Sequence, residues 1–282
     1  MNPDGTRNLN RRDLLASGLA AAAALTLGGR SAHARVVPAH DYGPFKMGLQ
    51  SYSLRHYKIE EALAKTKELG VHYWESYSAH TNIDPAKAAG YKELASASGV
   101  QVVGFGVSAF SKNHDANRKI FEFGKAMGVT YLSADPSTDA FDSLDKLTEE
   151  YGINIGIHPH GPGAKWVKID QIAAAIKDHS EKIGVCNDTG HFLRAGEDPV
   201  RAVEVFGKRT YGVHLKDVKG GKTFTILGEG DLKLAELLQA LAKINYSHCV
   251  ALEYEENPTN PIADIAKCLA AAQKAALAVK AS

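Results

Sequence analysis

The chain is 282 residues long and carries 33 Lys and Arg against 32 Asp and Glu, a formal net charge of +1. Apolar residues make up 44% and charged residues 23%, which is too apolar for a disordered chain and too balanced to support a polybasic nucleic-acid binder. Three cysteines cannot build a disulfide scaffold, and the length suits one large domain or two small ones.

Residues 7–34 read RNLNRRDLLASGLAAAAALTLGGRSAHA. A basic start holds the pair Arg11-Arg12. The apolar run from Leu14 to Leu27 is too short and too rich in Ala for a spanning helix. Ala32-His33-Ala34 follows as an A-x-A cleavage site. The segment resembles a twin-arginine export signal, which implies the twin-arginine machinery as a partner and a periplasmic or otherwise exported protein. Residues 1–34 are then the signal peptide and 35–282 the mature domain, with no membrane attachment after cleavage. The removed part carries Arg7, Arg11, Arg12 and Arg30 against Asp4 and Asp13, so the mature chain is close to neutral.

After Ala34 the chain alternates β-rich runs with amphipathic stretches. The predicted strands are residues 46–54, 71–77, 100–107, 129–134, 153–158, 183–187, 210–215 and 249–254. Between them lie helical patterns such as IEEALAKTKELG, where Ile59, Ala62, Leu63, Thr66 and Leu69 form one stripe, and NRKIFEFGKAMG and LAELLQALAKIN. Several end at a glycine (Gly70, Gly99, Gly128, Gly152), the residue best suited to a left-handed C-cap. Eight β-then-α units in this length predict a single-domain α/β protein, a (β/α)8 TIM barrel. The competing doubly wound sheet normally places a Gly-rich phosphate turn after its first strand, whereas this first strand ends in Gln50-Ser51-Tyr52-Ser53.

A parallel barrel keeps its chemistry at the C-terminal ends of its strands. Those ends are polar here: Trp74-Glu75-Ser76, His158-Pro159-His160-Gly161, Asn187-Asp188-Thr189-Gly190-His191, His214-Leu215-Lys216-Asp217 and Glu253-Tyr254-Glu255. Residues i and i+2 on a strand face the same way, so His158 and His160 can both point inward, as can His214 and Lys216. One ligand from each of four strand ends makes a ring of His158, Asp188, His214 and Glu253. Two imidazoles and two carboxylates suit Mn2+, Zn2+, Fe2+, Co2+ or Ni2+ better than Ca2+. Each residue alone has a plainer role: Asp188 could cap a helix, His214 could bond inside the barrel, and Glu253 could pair with Lys216. Four such costly polar groups arriving together favour a shared site. Asp217 alternates to the outer face and reads as structural.

The segments GIHPHG, NDTGHF and YGVHLKDV, and the run from LGEGDLKL to VALEYEEN, resemble the xylose-isomerase-like TIM-barrel superfamily, the sugar phosphate isomerase/epimerase group. Its D-x-x-H, H-x-K-D and G-x-G elements correspond to Asp188–His191, His214–Asp217 and Gly228–Gly230, and its Gly-Tyr step to Asn245-Tyr246. The resemblance covers Lys46 to Ala275. It implies a divalent metal (Mn2+, Co2+ or Zn2+) and sugar chemistry of several kinds: ketose epimerases, aldose–ketose isomerases, inosose and dehydroshikimate dehydratases, 3-keto-glycoside lyases and metal-dependent endonucleases. Ketose epimerases carry a metal-binding, proton-moving Glu on strand five, and His158 stands there in this chain. The endonuclease branch needs more ligands and a basic face than this sequence offers.

The resulting expectation is an isomerase or epimerase acting through an enediolate on a non-phosphorylated sugar or keto-sugar. A dehydratase or lyase on a keto-sugar, inosose or 3-keto-glycoside is the alternative, and an exported sugar-binding barrel without catalysis a further one. Glu253, Glu75, His160 and His191 are the candidate proton-transfer groups, and Lys216 the candidate charge stabiliser. Export and the lack of a Gly-rich phosphate cradle argue for an unphosphorylated substrate. Tyr52, Trp74, Tyr77 and Trp166 could stack on sugar rings or simply pack in loops. Cys186 and Cys249 read as small buried residues. The Ala-rich last helix, which contains Cys268, could cover the barrel or meet a second copy.

Overall fold

The computed structural model describes residues 41–279. The expected signal segment, residues 1–34, lies outside them. Eight strands close a parallel barrel: β1 (Lys46–Gln50), β2 (Tyr73–Ser76), β3 (Gln101–Phe110), β4 (Tyr131–Pro136), β5 (Asn154–Ile157), β6 (Ile183–Asp188), β7 (Thr210–Leu215) and, after a two-stranded hairpin, β10 (Cys249–Leu252). Around the barrel β10 sits between β1 and β7, and the other strands follow in chain order. The hairpin pairs β8 (Asp217–Lys219) with β9 (Thr223–Thr225) in antiparallel fashion. The predicted (β/α)8 barrel is therefore the observed fold.

The helices on the outside are α1 (Ile59–Glu68), α2 (Pro85–Ala97), α3 (His114–Met127), α4 (Phe141–Tyr151), α5 (Ile169–Ile176), α6 (Thr189–Arg194), α7 (Pro199–Phe206), α8 (Leu234–Lys243) and α9 (Ile262–Leu277). The stripe on α1 buries Ala62, Leu63 and Thr66, and α3 buries Ile120, Phe121, Phe123 and Met127. Each such aliphatic or aromatic side chain, fully withdrawn from water, contributes about 1.5–3 kcal/mol. Gly128 and Gly152 end α3 and α4 in the left-handed conformation at φ +76° and +65°, as their positions in the sequence predict. Among the described residues, no helix is long and apolar enough to cross a membrane.

Several strand ends differ from expectation, β3 running on to Phe110 and the last barrel strand stopping at Leu252, and two differences have a plain cause. The first strand stops at Gln50 because the Gln50 side chain accepts the Tyr52 N–H at 3.1 Å and turns residues 51–54 into a short 3-10 helix. The hairpin β8–β9 was not expected. It is pinned by Asp217, whose carboxylate accepts the N–H groups of Val218, Gly228, Gly230 and Leu232. Asp217 is thus structural, as its outward phase suggests.

Along the barrel axis the fold makes room for one large ring. A Cβ on Gly104 would come 2.5 Å from the Tyr131 ring, and one on Gly212 would come 2.9 Å from it. Only glycine at both positions lets Tyr131 occupy the axis, from which its hydroxyl donates to the Glu75 carboxylate at the base of the polar cluster. Cys186, Cys249 and Cys268 are buried free thiols.

Candidate functional site

The four strand ends singled out by the sequence meet at one point. His158 follows β5 and is fixed when its N–H donates to the Ala134 carbonyl at 2.8 Å. Its Nε2 lies 3.0 Å from His214 Nδ1 and 3.1 Å from Asp188 Oδ2. His214 Nδ1 is also 3.1 Å from Glu253 Oε2 and 3.6 Å from Asp188 Oδ2. Asp188 performs two tasks at once. Oδ1 caps α6 by accepting the His191 N–H at 2.8 Å, which leaves Oδ2 turned toward the imidazoles. One ligand atom from each of His158, Asp188, His214 and Glu253 lies within 4.8 Å of all the others, and all four residues are buried.

This donor set fits a divalent ion on two grounds. Ligands about 2.0–2.2 Å from a cation at tetrahedral or octahedral angles are separated from one another by roughly 3.0–3.5 Å, close to the 3.0–3.6 Å between His158 and His214, His158 and Asp188, His214 and Glu253, and His214 and Asp188. The second ground is charge. Glu75, Asp188 and Glu253 are buried carboxylates, and Lys216 is the one buried lysine among them. With His158 neutral and His214 protonated the cluster still retains an excess of one negative charge, and buried charge of one sign demands compensation.

The ionisation of the cluster follows from its surroundings. Burial pushes His158 down to about 4 and His191 down to about 3, so both are neutral imidazoles with a lone pair to offer. Burial alone would raise Asp188 and Glu253, but the Lys216 ammonium outweighs it and holds both carboxyls below their usual range. Lys216 Nζ sits 3.0 Å from Asp188 Oδ2 and 2.8 Å from Glu253 Oε2, and it also contacts Glu255 Oε1. Burial opposes the charged ammonium, yet Asp188, Glu253 and Glu255 keep it charged. His214 is raised for the same kind of reason: burial is overcome by Cys186, Glu75 and Glu253.

Above the cluster opens a cavity of about 390 Å³, lined among others by His158, His160, His191, Lys216, Glu253, Glu255, Gln50, Tyr52 and Tyr77. The structure thus brings His160, His191, Lys216 and Glu253 to the cavity. His160 and His191 stand beside His158, with ring centroids 4.6 and 5.7 Å from it. Glu75 lies elsewhere. It is fully buried beneath His214, with Oε1 2.9 Å from His214 Nε2, and it is further held by Gln50, Tyr131 and Ser133. It supports the ring from below and does not line the cavity. Tyr52 and Tyr77 do line it, in an edge-to-face pair at 5.4 Å. Trp74 is wholly buried and stacked on His80, and Trp166 is buried with its Nε1 donating to the Pro136 carbonyl, so neither can stack on a ligand. Glu255 is the cavity residue that sequence reasoning passed over. The i+2 rule that paired His158 with His160 also pairs Glu253 with Glu255.

Comparison with known proteins identifies the family to which this barrel belongs. The profile of the xylose isomerase-like TIM barrel family matches residues 63–272, and the chain belongs to that family. A protein named inosose dehydratase from Mesomycoplasma hyopneumoniae is 30% identical over 143 residues, 43% of this chain and 47% of that protein. The chain thus spans about half the length of the curated relatives it matches. An uncharacterised protein from Parabacteroides distasonis has a similar solved structure, with a TM-score of 0.65 and 25% identity over 82% of this chain and 99% of that one. The structure of an L-ribulose 3-epimerase is similar in fold, with a TM-score of 0.65 and 15% identity over 83% of this chain and 96% of that one.

Proposed function

We propose that this protein is a divalent-metal-dependent enzyme that moves a proton on the carbon next to the carbonyl of an unphosphorylated sugar, keto-sugar or inosose. The observation that carries this reading is the convergence of His158, Asp188, His214 and Glu253 at the floor of an open cavity. These four residues would hold the ion. A bound divalent cation supplies positive charge to adjacent carbonyl and hydroxyl oxygens and makes the neighbouring C–H more acidic. His158 would offer its neutral imidazole to the ion and Asp188 its carboxylate, one oxygen of which accepts at the helix cap, while Glu75 lies beneath the His214 ring. Lys216 keeps its proton and places fixed positive charge beside the site where an enediolate oxygen develops. Tyr52 and Tyr77 offer apolar faces to the carbon skeleton.

The placement of acid–base groups also bears on the kind of reaction. His158, His160, His191, Lys216, Glu253 and Glu255 all come from the ends of β5, β6, β7 and β10, four neighbouring strands. The opposite wall offers Gln50, Tyr52, Tyr77, Ser78, Gly106 and Val107. Inversion at a carbon removes a proton from one face and returns it to the other. Isomerisation of an aldose to a ketose, or elimination of a β-hydroxyl, needs groups on one face only. The cavity therefore favours isomerisation or dehydration, and dehydration agrees with the inosose dehydratase relatives. Epimerisation is the second reading, supported by the fold likeness to L-ribulose 3-epimerase and by two phenols on the far wall. The expected twin-arginine signal supports reading this as an exported enzyme, and an exported enzyme is expected to meet unphosphorylated sugars.

The test is a panel of free aldoses, ketoses, inososes and 3-keto-glycosides incubated with the Mn2+-, Co2+- or Zn2+-loaded protein in deuterated water and followed by NMR. Deuterium entering carbon, together with formation of an isomer or an enone, is the expected result. Sugar binding with no exchange on any compound would leave the non-catalytic barrel.

A further inference from the structure

Resting on that reading, we propose that Glu255, and not Glu253, is the base that takes the substrate's proton. The two carboxylates leave the same end of β10 but stand in different places. Glu253 has 8% of its side chain exposed, and its Oε2 is turned down into the cluster, 3.1 Å from His214 Nδ1 and 2.8 Å from Lys216 Nζ. With a cation in place one Glu253 oxygen would be a ligand, which leaves this carboxylate less free than Glu255 to take a proton. Glu255 lines the cavity with 22% of its side chain exposed. Its Oε1 rests on the Lys216 ammonium, and among the described residues Oε2 has no hydrogen-bond partner.

Glu255 is also held still. Its backbone carbonyl accepts from Arg55 Nη2 at 2.6 Å, while Arg55 Nη1 donates to the Tyr52 carbonyl at 3.1 Å and the guanidinium lies 4.5 Å from the Tyr52 ring centroid. The loop after β1 and the loop after β10 are thereby fastened together, and the Glu255 carboxylate is anchored at its backbone by Arg55 and at Oε1 by Lys216. A general base needs this geometry, an oxygen within about 3 Å of the carbon and held in place before the substrate arrives.

The step balances on one face of the substrate. The C–H bond next to the carbonyl breaks and its proton passes to Glu255 Oε2. The electron pair forms the double bond of the enediolate. In isomerisation the Glu255 carboxyl returns that proton to the neighbouring carbon, while the hydroxyl proton passes from its own oxygen to the former carbonyl oxygen, so that the carbonyl and hydroxyl exchange places. In dehydration it gives the proton to the departing β-hydroxyl, which leaves as water while the carbonyl re-forms beside a new carbon–carbon double bond. Either course restores the carboxylate. The β5 carboxylate that ketose epimerases use is replaced here by His158, and Glu255 supplies the second carboxylate from the far end of the same half-barrel.

The experiment compares wild type, Glu255→Gln, Glu255→Asp and Glu253→Gln for bound metal per chain, folding by circular dichroism, and exchange of substrate C–H with deuterated water across the sugar panel. Glu255→Gln should keep its fold and metal and lose about 100-fold or more of exchange. Glu255→Asp should recover part of the exchange, and Glu253→Gln should lose metal. If Glu255→Gln exchanges within a few-fold of wild type, the assignment is wrong and the proposed function stands. If Glu255→Gln sheds its metal or its fold, Glu255 is a strut for Lys216, and the assignment is wrong again. If loaded wild type exchanges nothing on the panel, the proposed function fails and takes the assignment with it.

Discussion

Glu75 Oε1 and His214 Nε2 lie 2.9 Å apart in the closed interior of the barrel, on a carboxylate that Gln50, Tyr131 and Ser133 also hold. A carboxylate behind a ligand imidazole fixes its tautomer and raises its basicity. Glu75→Gln should therefore weaken divalent-ion affinity by about 10–100-fold while leaving the cavity lining in place. Competition titration with a chromogenic chelator measures this directly. An unchanged affinity would show that His214 needs no support from below.

Metal should stabilise the folded chain. A ligand present at 100 times its Kd adds about 2.7 kcal/mol, and the unfolded chain offers no converged site. Thermal unfolding with Mn2+, Co2+ or Zn2+ against excess chelator should show a higher Tm with metal, and His158→Ala should abolish the difference. Equal melting curves for wild type in both conditions would count against the site.

The metal-free protein should lose stability in acid. Burial holds His158 at about 4 and His191 at about 3 in the fold, below the ordinary value near 6.5. Below that value the unfolded chain binds protons that the folded chain refuses, so stability falls as pH drops from about 6.5 toward 4, by about 1.4 kcal/mol per pH unit for each such imidazole. Asp188 and Glu253, held low by Lys216, add to the loss at the acid end. His214, held high, is protonated in the fold throughout, so it opposes the loss slightly near pH 6.5, where the unfolded imidazole is only half protonated, and adds no slope at the acid end. Urea unfolding across pH 4.5–6.5 should show the slope, and His191→Gln should reduce it. A flat profile would mean that these imidazoles are charged in the fold.

Asp217 should matter for stability and not for metal. Asp217→Asn places amide hydrogens against the N–H groups of Gly228 and Gly230, which Oδ2 accepts at 2.8 and 3.1 Å. The loss should be about 3 kcal/mol, which lowers Tm by roughly 10 °C in a domain of this size. Differential scanning calorimetry with parallel metal analysis checks both halves. Loss of metal without loss of stability would reverse the assignment.

The barrel and the convergence of His158, Asp188, His214 and Glu253 were legible in the sequence for one reason. Both depend on local order along the chain: apolar runs that end in His, Asp or Glu, and helices that end in Gly. Asp188 and His214 could be placed at strand ends because strand phase fixes direction. Glu75 misled for the same reason. It stands at a strand end, but its depth depends on Gly104 and Gly212 leaving the axis to Tyr131, and that is a contact between distant strands. Trp74 and Trp166 looked available for stacking because their burial comes from neighbouring elements, His80 and Pro136. Glu255 was overlooked although strand phase alone would have offered it. The hairpin β8–β9 was missed because its three-residue strands carry almost no periodic signal.

On the proposed function His158, Asp188, His214 and Glu253 share one cation. Isothermal titration of metal-stripped protein with Mn2+ and Zn2+, run beside the His214→Ala and Asp188→Asn variants, tests it most directly. The account requires one tight site per chain in wild type and its loss in both variants; no saturable binding in wild type, or equal binding in all three proteins, would contradict it.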